Sequence, residues 1–448
     1  MLSLSEAQAR ADALISRARK WGADAGDAVY LADASESVSI RLGKLEDVER
    51  SESEHIGLRV FIGQRSASIG SSDLSDAALD HLAERAVAMA RAAPEDPYAG
   101  LAPQEMLTQG RILPLDMEDD AEPSPQSLRQ WAEEAEDAAR SVAGVTNSEG
   151  GSAGAGRAIM ALATSHGFSG AYGGTSRSIS ASVIAGEGGQ MQRDYAWRSA
   201  RFAADLPPAE AIGLMAGQRA VARLNPGRVK SGVMPVVFDP RVSGSLLSPL
   251  LGAMSGMAIA RKASFLLGRE ESQLFDSAIC ICDDPHRPRG LRSRPFDGEG
   301  LPTGRRNLIE NGRLTGWLME SASARQLGLQ PSGHAARGGN GAPSVASSNL
   351  HLAAGALSPA ALMADIADGI YITEMIGHGV NGVTGDYSRG ASGFRIVNGE
   401  IAGPVAEFTV AGNLIDIYAQ LIPANDLEMH RMVNTPTVRV DGLTIAGD

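Results

Sequence analysis

The start of the chain carries apolar residues at the spacing of an amphipathic helix. Ser5 and Gln8 stand three residues apart, as the two members of a capping box do, so the pattern predicts that a helix begins there. The apolar positions that fall on one face of this helix, which is predicted to run to about Trp21, are Ala11, Leu14, Ile15, Ala18 and Trp21.

Alternation of apolar and polar positions then replaces the helical spacing. A turn at Gly43-Lys44 would join two strand-like runs. The apolar residues on one side are Val38, Ile40 and Leu42 in the first run and Ile56, Leu58 and Val60 in the second. A second helix follows, and its predicted buried stripe is Leu79, Leu82, Ala86 and either Met89 or Ala90. The order is helix, antiparallel meander, helix.

The same order recurs after a segment without periodicity. Residues 91–125 are rich in proline and acidic residues and are predicted to form a linker. The elements predicted beyond it are a helix capped by Ser124 with Pro125 in its first turn, strands at 157–166 and 176–185, and a helix near 208–224. The first half of the chain is therefore predicted to hold two similar units.

From about residue 230 the sequence contains turn signals that are typical of β-hairpins. Asn-Gly and Asp-Gly pairs between strand-like runs favour two-residue hairpins, and they occur at Asn311-Gly312, Asn398-Gly399 and Asp441-Gly442. Helices are predicted to begin at Asp239-Pro240 and at Ser358-Pro359, the latter running to about Ala367. We therefore predict an α+β fold in which helix-plus-antiparallel-meander units precede a β-rich C-terminal domain. The predicted domains are residues 1–115, 116–227 and 228–448.

The charge balance limits the classes of partner. The 448 residues include 40 basic and 53 acidic side chains, a net charge of -13, which argues against direct nucleic-acid binding. The sequence shows neither a signal peptide nor an apolar run of about 20 residues, so we expect a cytoplasmic protein that does not cross a membrane. Cys280 and Cys282 would share one face of a strand, where they cannot bridge each other and are interpreted as packing residues.

A glycine-rich segment between residues 371 and 394 allows two cofactor interpretations. Gly377, Gly379 and Gly382 match the G-x-G-x-x-G turn that binds dinucleotides, but no helical period follows them, so the helix that this turn requires is missing. Glu374 and His378 lie four residues apart, yet no two of the eight histidines are closer than about 17 positions. The sequence therefore contains no local zinc motif, although a site built from distant histidines stays open.

Polar residues among these glycines are the remaining candidates. They are set where a second backbone can approach closely, as in a groove that binds an extended peptide by strand pairing, and ordinary solvated turns are the competing interpretation. No G-x-S-x-G motif accompanies them, and no catalytic residue is predicted. The candidates for a peptide channel or subunit interface are Asn340, Glu374, His378, Asn381, Asp386, Tyr387 and Arg389.

Two stretches resemble a known family. "GVNGVTGDYSRGASGFRIVNGEIAGPVAEFTVAGNL" and "SESEHIGLRVFIGQRSASIGSSDLS" are similar to the TldD/PmbA family, and to its PmbA (TldE) branch in particular. The resemblance implies a subunit of a cytoplasmic TldD–TldE metallopeptidase that trims unfolded or modified peptides. The family's older name, modulator of DNA gyrase, suggests a nucleic-acid role that the acidic charge does not support.

The resemblance also implies where the metal chemistry would lie. The TldD branch holds zinc with an H-E-x-x-x-H helix, and the corresponding positions here are Ser248, Pro249 and Ala253, with no cysteine near residues 429–442 to complete a site. We therefore expect no zinc in this chain, zinc in a TldD-like partner subunit, and a homodimer as the form of the chain alone. The alternatives are a self-sufficient metallopeptidase with a non-local metal site and a non-enzymatic peptide-binding module.

Overall fold

The cap of the first helix lies two residues before the predicted one. A computed structural model of the chain describes residues 1–339 and 341–448. In it α1 (Leu4–Lys20) is capped by Ser3, whose side chain accepts a hydrogen bond from the amide of Glu6 while the Glu6 carboxylate accepts one from the Ser3 amide. The predicted Ser5 and Gln8 capping box is therefore wrong, because the carboxylate that completes the box belongs to Glu6.

The two predicted units have the predicted order of elements. The first continues through β1 (Ala25–Arg41), β2 (Lys44–Ile62), β3 (Arg65–Ser71) and α2 (Asp76–Ala92). The second consists of α3 (Pro125–Ser141), β4 (Val145–Thr164), β5 (Ser169–Ala185), β6 (Gln192–Ala200) and α4 (Ala209–Ala222). Their strands form one antiparallel sheet in the order β3-β2-β1-β4-β5-β6, so β1 and β4 join the units. The residue boundaries between predicted domains stay a prediction.

The four helices cover one face of this sheet. The stripe predicted for α2 is buried, with Ala90 inside and Met89 44% exposed. Helices α3 and α4 approach so closely that a Cβ atom added to Gly213 would lie 2.0 Å from the carbonyl oxygen of Ala135. Only glycine permits that contact, because any side chain would collide with backbone.

The opposite face of the sheet is partly covered by the predicted linker. Residues 93–124 form no α-helix or β-strand, but Ala102 and Leu107 are buried against sheet residues and against Phe296 from the C-terminal half. The rings of Phe168 and Phe296 pack edge to face with centroids 4.8 Å apart. This segment is therefore a packed connection. Its packing could not be predicted from the sequence, because its apolar residues follow neither a helical nor a strand period.

The C-terminal half is rich in strands, as predicted. Its helices are α5 (Pro240–Ser243), α6 (Leu247–Ala253), α7 (Gly256–Ala260), α8 (Ser321–Leu327), α9 (Pro359–Met363) and α10 (Leu414–Ala419). Its first strands are β7 (Gly232–Phe238), β8 (Ile281–Asp283), β9 (Arg306–Glu310), β10 (Arg313–Leu314), β11 (Ala335–Ala336), β12 (Ser344–Val345) and β13 (Leu350–Leu352). The remaining strands are β14 (Asp368–Ile376), β15 (Asp386–Val397), β16 (Glu400–Asn413), β17 (Ile422–Pro423), β18 (Val433–Asn434) and β19 (Val438–Ala446).

Two sheets and one small hairpin organise these strands. The larger sheet has the order β16-β15-β14-β7-β19-β17, and an additional pairing of β16 with β19 closes five of its strands into a ring. In this sheet the pairing of β7 with β14 is parallel, whereas all other strand pairings are antiparallel. The second sheet has the order β10-β9-β8-β13-β18, and both sheets contribute to one hydrophobic cluster.

The turn predictions succeed twice and fail once. Asn311-Gly312 and Asn398-Gly399 join consecutive antiparallel strands, and all four residues have positive φ, as a type I′ hairpin turn requires. Asp441-Gly442 instead lies within β19, where the register against β7 shifts between Val440 and Leu443. This pair forms a bulge, because β19 continues past it along the same neighbouring strand.

The short helices also differ from their predictions in extent. Asp239 caps α5 as predicted, its side chain accepting a hydrogen bond from the amide of Arg241. Helix α9 begins at Pro359 as predicted but ends at Met363, short of Ala367. Ile366, three residues beyond the end of this helix, is buried in a small core with Val237 and Ile396.

A buried cluster of charges joins the N-terminal sheet to the C-terminal half. On β1, Asp27 accepts hydrogen bonds from Arg59 on β2 and from Arg337, which follows β11. The second carboxylate of the cluster is Glu299, with an oxygen 3.6 Å from the Arg59 guanidinium. Burial opposes ionisation of Asp27, but the guanidinium groups of Arg337 and Arg59 hold its pKa below the ordinary value. The cluster thus contains two carboxylates and two guanidinium groups.

Asp297 is a neighbouring carboxyl in a different state. Its oxygens accept backbone hydrogen bonds from Glu299, Leu301 and Ala335, and its side chain is fully buried. Burial, with the nearby Glu299 carboxylate, raises the pKa of Asp297 to about 7. The folded chain therefore binds a proton at Asp297 more tightly than the unfolded chain does.

We predict that Asp297 makes stability fall as the pH rises from about 4 to 7. Over that interval the unfolded chain has released the Asp297 proton while the folded chain still holds it, which costs roughly 1 kcal/mol of unfolding free energy per pH unit. Urea unfolding at pH 5, 6 and 7 should show this slope, and Asp297→Asn should reduce it. An identical slope in the variant would contradict the prediction.

Candidate functional site

The glycine-rich segment is a loop between two paired strands. Strand β14 ends at Ile376, residues 377–385 form the loop, and β15 begins at Asp386 and runs back along β14. No helix follows the glycines, so the dinucleotide-binding interpretation is excluded for this segment. Position 379 requires glycine, because a Cβ atom added there would lie 1.6 Å from the carbonyl oxygen of Ser388.

Hydrogen bonds from Asn381 organise the loop from within. Its side-chain oxygen accepts from the amides of Val383, at 2.9 Å, and Thr384, at 3.2 Å. Its backbone amide donates to the carbonyl oxygen of Asp386 at 2.8 Å. Asn381 therefore acts as a turn residue, and its own side chain is exposed to solvent.

Asp386 closes the base of the loop. Its carboxylate accepts a hydrogen bond from the Thr384 hydroxyl at 2.6 Å and one from the Asn413 side-chain amide at 3.3 Å. Asn413 also donates to the Thr384 carbonyl oxygen at 3.0 Å. Asp386 nevertheless stays exposed, so its carboxylate can also reach solvent or another chain.

The next two candidates lie deeper in the structure. Tyr387 is 1% exposed, and burial raises the pKa of its phenol to about 12. Its hydroxyl oxygen, the Arg389 Nε and the Ser245 hydroxyl oxygen are buried atoms without a hydrogen-bond partner among the described residues. Tyr387 belongs to the large hydrophobic cluster of the C-terminal half, so its ring is a packing element.

Glu374 and His378 do not form half of a metal site. Glu374 on β14 pairs with Arg223, which follows α4 in the N-terminal half. His378 is exposed in the loop. The remaining candidate, Asn340, lies outside the described residues.

Helix α6 carries the three positions at which the family resemblance would place zinc ligands and a base. Ser248 is exposed, Pro249 is half-buried and Ala253 is 4% exposed. These side chains offer one neutral hydroxyl, a ring without a donor atom and a methyl group, a set that does not fit zinc. Across residues 1–339 and 341–448, no group of three or more His, Cys, Asp or Glu side chains could hold a metal ion.

The histidines nearest to other charged groups serve separate local contacts. His334 Nε2 lies 3.3 Å from a carboxylate oxygen of Asp283. Burial and neighbouring arginines, Arg198 and Arg431 first among them, lower the pKa of His430 to about 4. The ring is flanked by both signs of charge, because a Glu428 carboxylate oxygen lies 3.4 Å from its Nδ1 and the Arg431 guanidinium contacts its Nε2.

A cavity of about 540 Å³ lies beside α6 and α7. Two arginines, Arg261 and Arg292, line it together with apolar side chains from four segments. Its only sequence signal is Arg292, which lies in the short basic run at residues 287–294. Within the part of the chain that the structure describes, no helix has the length and apolar character needed to cross a membrane.

Comparisons with known proteins match nearly all of the chain. Models of the PmbA/TldA metallopeptidase family match residues 26–90 as domain 1, 118–224 as the central domain and 231–447 as the C-terminal domain. Metalloprotease PmbA of Escherichia coli O157:H7 is 38% identical over 92% of this chain and 90% of its own length. A Metalloprotease PmbA homolog of Haemophilus influenzae is 34% identical over 97% of this chain and 94% of its own length.

A solved structure shares the whole architecture. A Bacteroides thetaiotaomicron protein described as a candidate modulator of DNA gyrase covers 100% of both chains at 26% identity, with a TM-score of 0.91. The α+β fold, with a helix-and-antiparallel-sheet region followed by a β-rich region, is therefore confirmed.

We predict that Asn381→Ala loosens the loop without unfolding the chain. The substitution removes the acceptor of two backbone hydrogen bonds, so the amides of residues 383 and 384 should exchange with solvent about tenfold faster. Hydrogen exchange read by mass spectrometry would measure this. Val383→Ala, which shortens a side chain that is 57% exposed, is the matched control. Unchanged protection in Asn381→Ala would show that the loop does not depend on this side chain.

Proposed function

Because the chain belongs to the PmbA/TldA metallopeptidase family, we propose that it is the TldE-type subunit of a two-chain metallopeptidase that acts on unfolded or modified peptides. In this proposal the zinc ion belongs to a TldD-type partner. The present chain contributes part of the peptide channel and carries no catalytic residue. A cytoplasmic location remains part of the proposal.

The observation that carries the proposal is the side-chain chemistry of α6. Zinc peptidases need imidazole, thiolate or carboxylate ligands and a general base, and Ser248, Pro249 and Ala253 supply none of these. The surrounding architecture is nevertheless complete from domain 1 to the C-terminal domain. A full-length fold with an altered metal position is what a partner subunit of an active homologue would have.

A second candidate is supported by the relatives' names. The Escherichia coli and Haemophilus influenzae proteins are both named as metalloproteases or their homologues, which favours a self-sufficient peptidase. Such an enzyme would need a metal site assembled from residues far apart in the sequence. A third candidate, a peptide-binding module without any enzymatic partner, differs from the first only in lacking a TldD-type companion.

We predict that the isolated chain binds only substoichiometric zinc and does not cleave peptides. Elemental analysis and a fluorogenic assay on an unfolded peptide would be made on the chain alone, on a TldD-type protein from the same host and on the two together. Zinc and full activity should require the partner. Stoichiometric zinc and equal cleavage by the chain alone would favour the self-sufficient enzyme, and failure to associate would favour the binding module. Sedimentation of the isolated chain would test the predicted homodimer.

We also predict that Asp386→Ala lowers peptide turnover by the two-chain complex several-fold. Its carboxylate fixes the base of the glycine loop and stays open to solvent, so its loss should disturb a channel wall if the loop forms one. Glu400→Ala removes an exposed carboxylate at the opposite end of the β15–β16 pair and is the control. Equal turnover by both variants, with assembly intact, would remove the loop from the proposed channel.

A further inference from the structure

The cavity beside α6 and α7 is positively charged in an otherwise acidic protein. Among the residues that the structure describes, its lining contains the side chains of Arg261 and Arg292 and no aspartate or glutamate, whereas the whole chain has a net charge of -13. Opposite charges usually accompany arginines that are structural, because a guanidinium group next to a carboxylate satisfies both. Both arginine side chains are exposed to solvent, so an anionic ligand that enters the cavity can reach them without displacing a carboxylate of the lining.

Both guanidinium groups keep donors available. Arg261 makes no side-chain hydrogen bond or ion pair with any residue that the structure describes. Arg292 is held at its backbone by the side-chain oxygen of Asn349, at 2.9 Å, and its Nε lies 2.9 Å from the sulfur of Met432. These contacts fix the position of Arg292 while leaving its two terminal nitrogens without a partner among the described residues. A guanidinium group in that state is suited to bidentate recognition of an anion.

Hydroxyl groups supply further donors on the same wall. Ser255, Ser344 and Ser347 line the cavity, and Ser347 is only 5% exposed. Ser255 precedes α7 but its side chain does not cap that helix. The cavity thus combines two cations with hydroxyls that can each donate to an oxygen anion.

The remaining walls define what accompanies the anion. Leu251, Met257, Leu318 and Val345 contribute apolar surface, and a volume of about 540 Å³ is sufficient for one or two residues of a peptide. A nucleic-acid backbone would need an extended basic surface, and this cavity has only two cations. A carboxylate next to an apolar side chain matches the lining.

We propose that this cavity binds the C-terminal carboxylate of an extended peptide whose last side chain is apolar. Leu251 and Gly252 of α6 belong to its lining, so the bound peptide end would lie against the helix that carries Ser248 and Ala253. The peptide nature of the ligand rests on the proposed function, whereas the preference for an anion rests on Arg261 and Arg292 alone.

The test is a fluorescence anisotropy titration of the isolated chain with two peptides that share one sequence and end in leucine. One peptide has a free C-terminal carboxylate and the other a C-terminal amide. We expect the carboxylate form to bind at least about tenfold more tightly, since the amide cannot accept two charge-assisted hydrogen bonds from a guanidinium group. Equal affinity for the two forms would overturn the proposal, and this wild-type comparison does not depend on the folding of any variant.

Substitution of the two arginines tests whether the preference for the carboxylate peptide comes from this cavity. The double variant Arg261→Gln with Arg292→Gln should bind both peptides equally, and Arg261→Lys with Arg292→Lys should retain part of the preference because the charges remain. Arg85→Gln with Arg313→Gln removes two exposed positive charges elsewhere and should leave the preference unchanged. Persistence of the full tenfold ratio in the double glutamine variant, with its thermal midpoint unchanged, would overturn the assignment to this cavity.

The same assay distinguishes a peptide carboxylate from inorganic phosphate as the anion that the cavity binds. Inorganic phosphate at millimolar concentration should displace the carboxylate peptide only weakly, since the apolar walls contribute to peptide binding. If phosphate binds and neither peptide does, the cavity is a phosphate site and the proposal is wrong. Failure of the two-chain complex to cleave peptides would be a failure of the proposed function, and the carboxylate preference is measured without that activity.

Discussion

The carboxylate of Asp27, buried between two guanidinium groups, is the contact on which the relation between the two halves of the chain depends. Arg59 reaches it from the neighbouring strand, and Arg337 reaches it from the C-terminal half. A second carboxylate, Glu299, balances the second positive charge. Removal of any one of these groups would leave an uncompensated charge in a dry environment, which is far more costly than the loss of one hydrogen bond. Close backbone contact accompanies the charges, because a Cβ atom added to Gly57 would lie 2.0 Å from the Gly339 carbonyl oxygen.

Arginine side chains make further contacts between the halves, and one of them pairs with backbone. The Arg325 guanidinium donates to the carbonyl oxygens of Tyr98, Gly100 and Leu101 at 2.8–2.9 Å. Segments without helix or strand leave carbonyl groups unpaired, and one guanidinium group with five N–H donors can satisfy several of them. Arg223 extends the pattern to the candidate site, because its partner Glu374 lies on the strand that leads into the glycine loop. A residue of the N-terminal half thereby contacts the strand that precedes the loop.

The features that the sequence predicts are those set by local spacing. The apolar stripes of α1 (apart from Trp21, which is exposed beyond the end of the helix) and α2, the cap at Ser124 and the turns at Asn311 and Asn398 depend on residues within one or two turns of chain. Asp441-Gly442 has the same local signal, yet it forms a bulge because β19 has a continuous neighbour on β7. Tyr387 lies on a strand of the closed ring and is buried. Arg223 pairs with Glu374, from which it is separated by 151 positions in the sequence. No local pattern encodes these pairings, so the burial and the partners of these residues could not be predicted from the sequence.

Under the proposed function, helix α6 and the cavity beside it would be two separable parts of a peptide site. Chemistry at the scissile bond needs a metal or a base, and the side chains of Ser248, Pro249 and Ala253 offer neither. Recognition of a peptide end needs only donors and apolar walls, and in the proposed cavity site Arg261, Arg292 and their apolar neighbours would supply those. A subunit can therefore lose the first part while it keeps the second, because binding energy remote from the reacting bond still orients a substrate. The altered helix therefore does not make the surrounding surface functionless, since a subunit that only orients the substrate needs no metal ligand of its own.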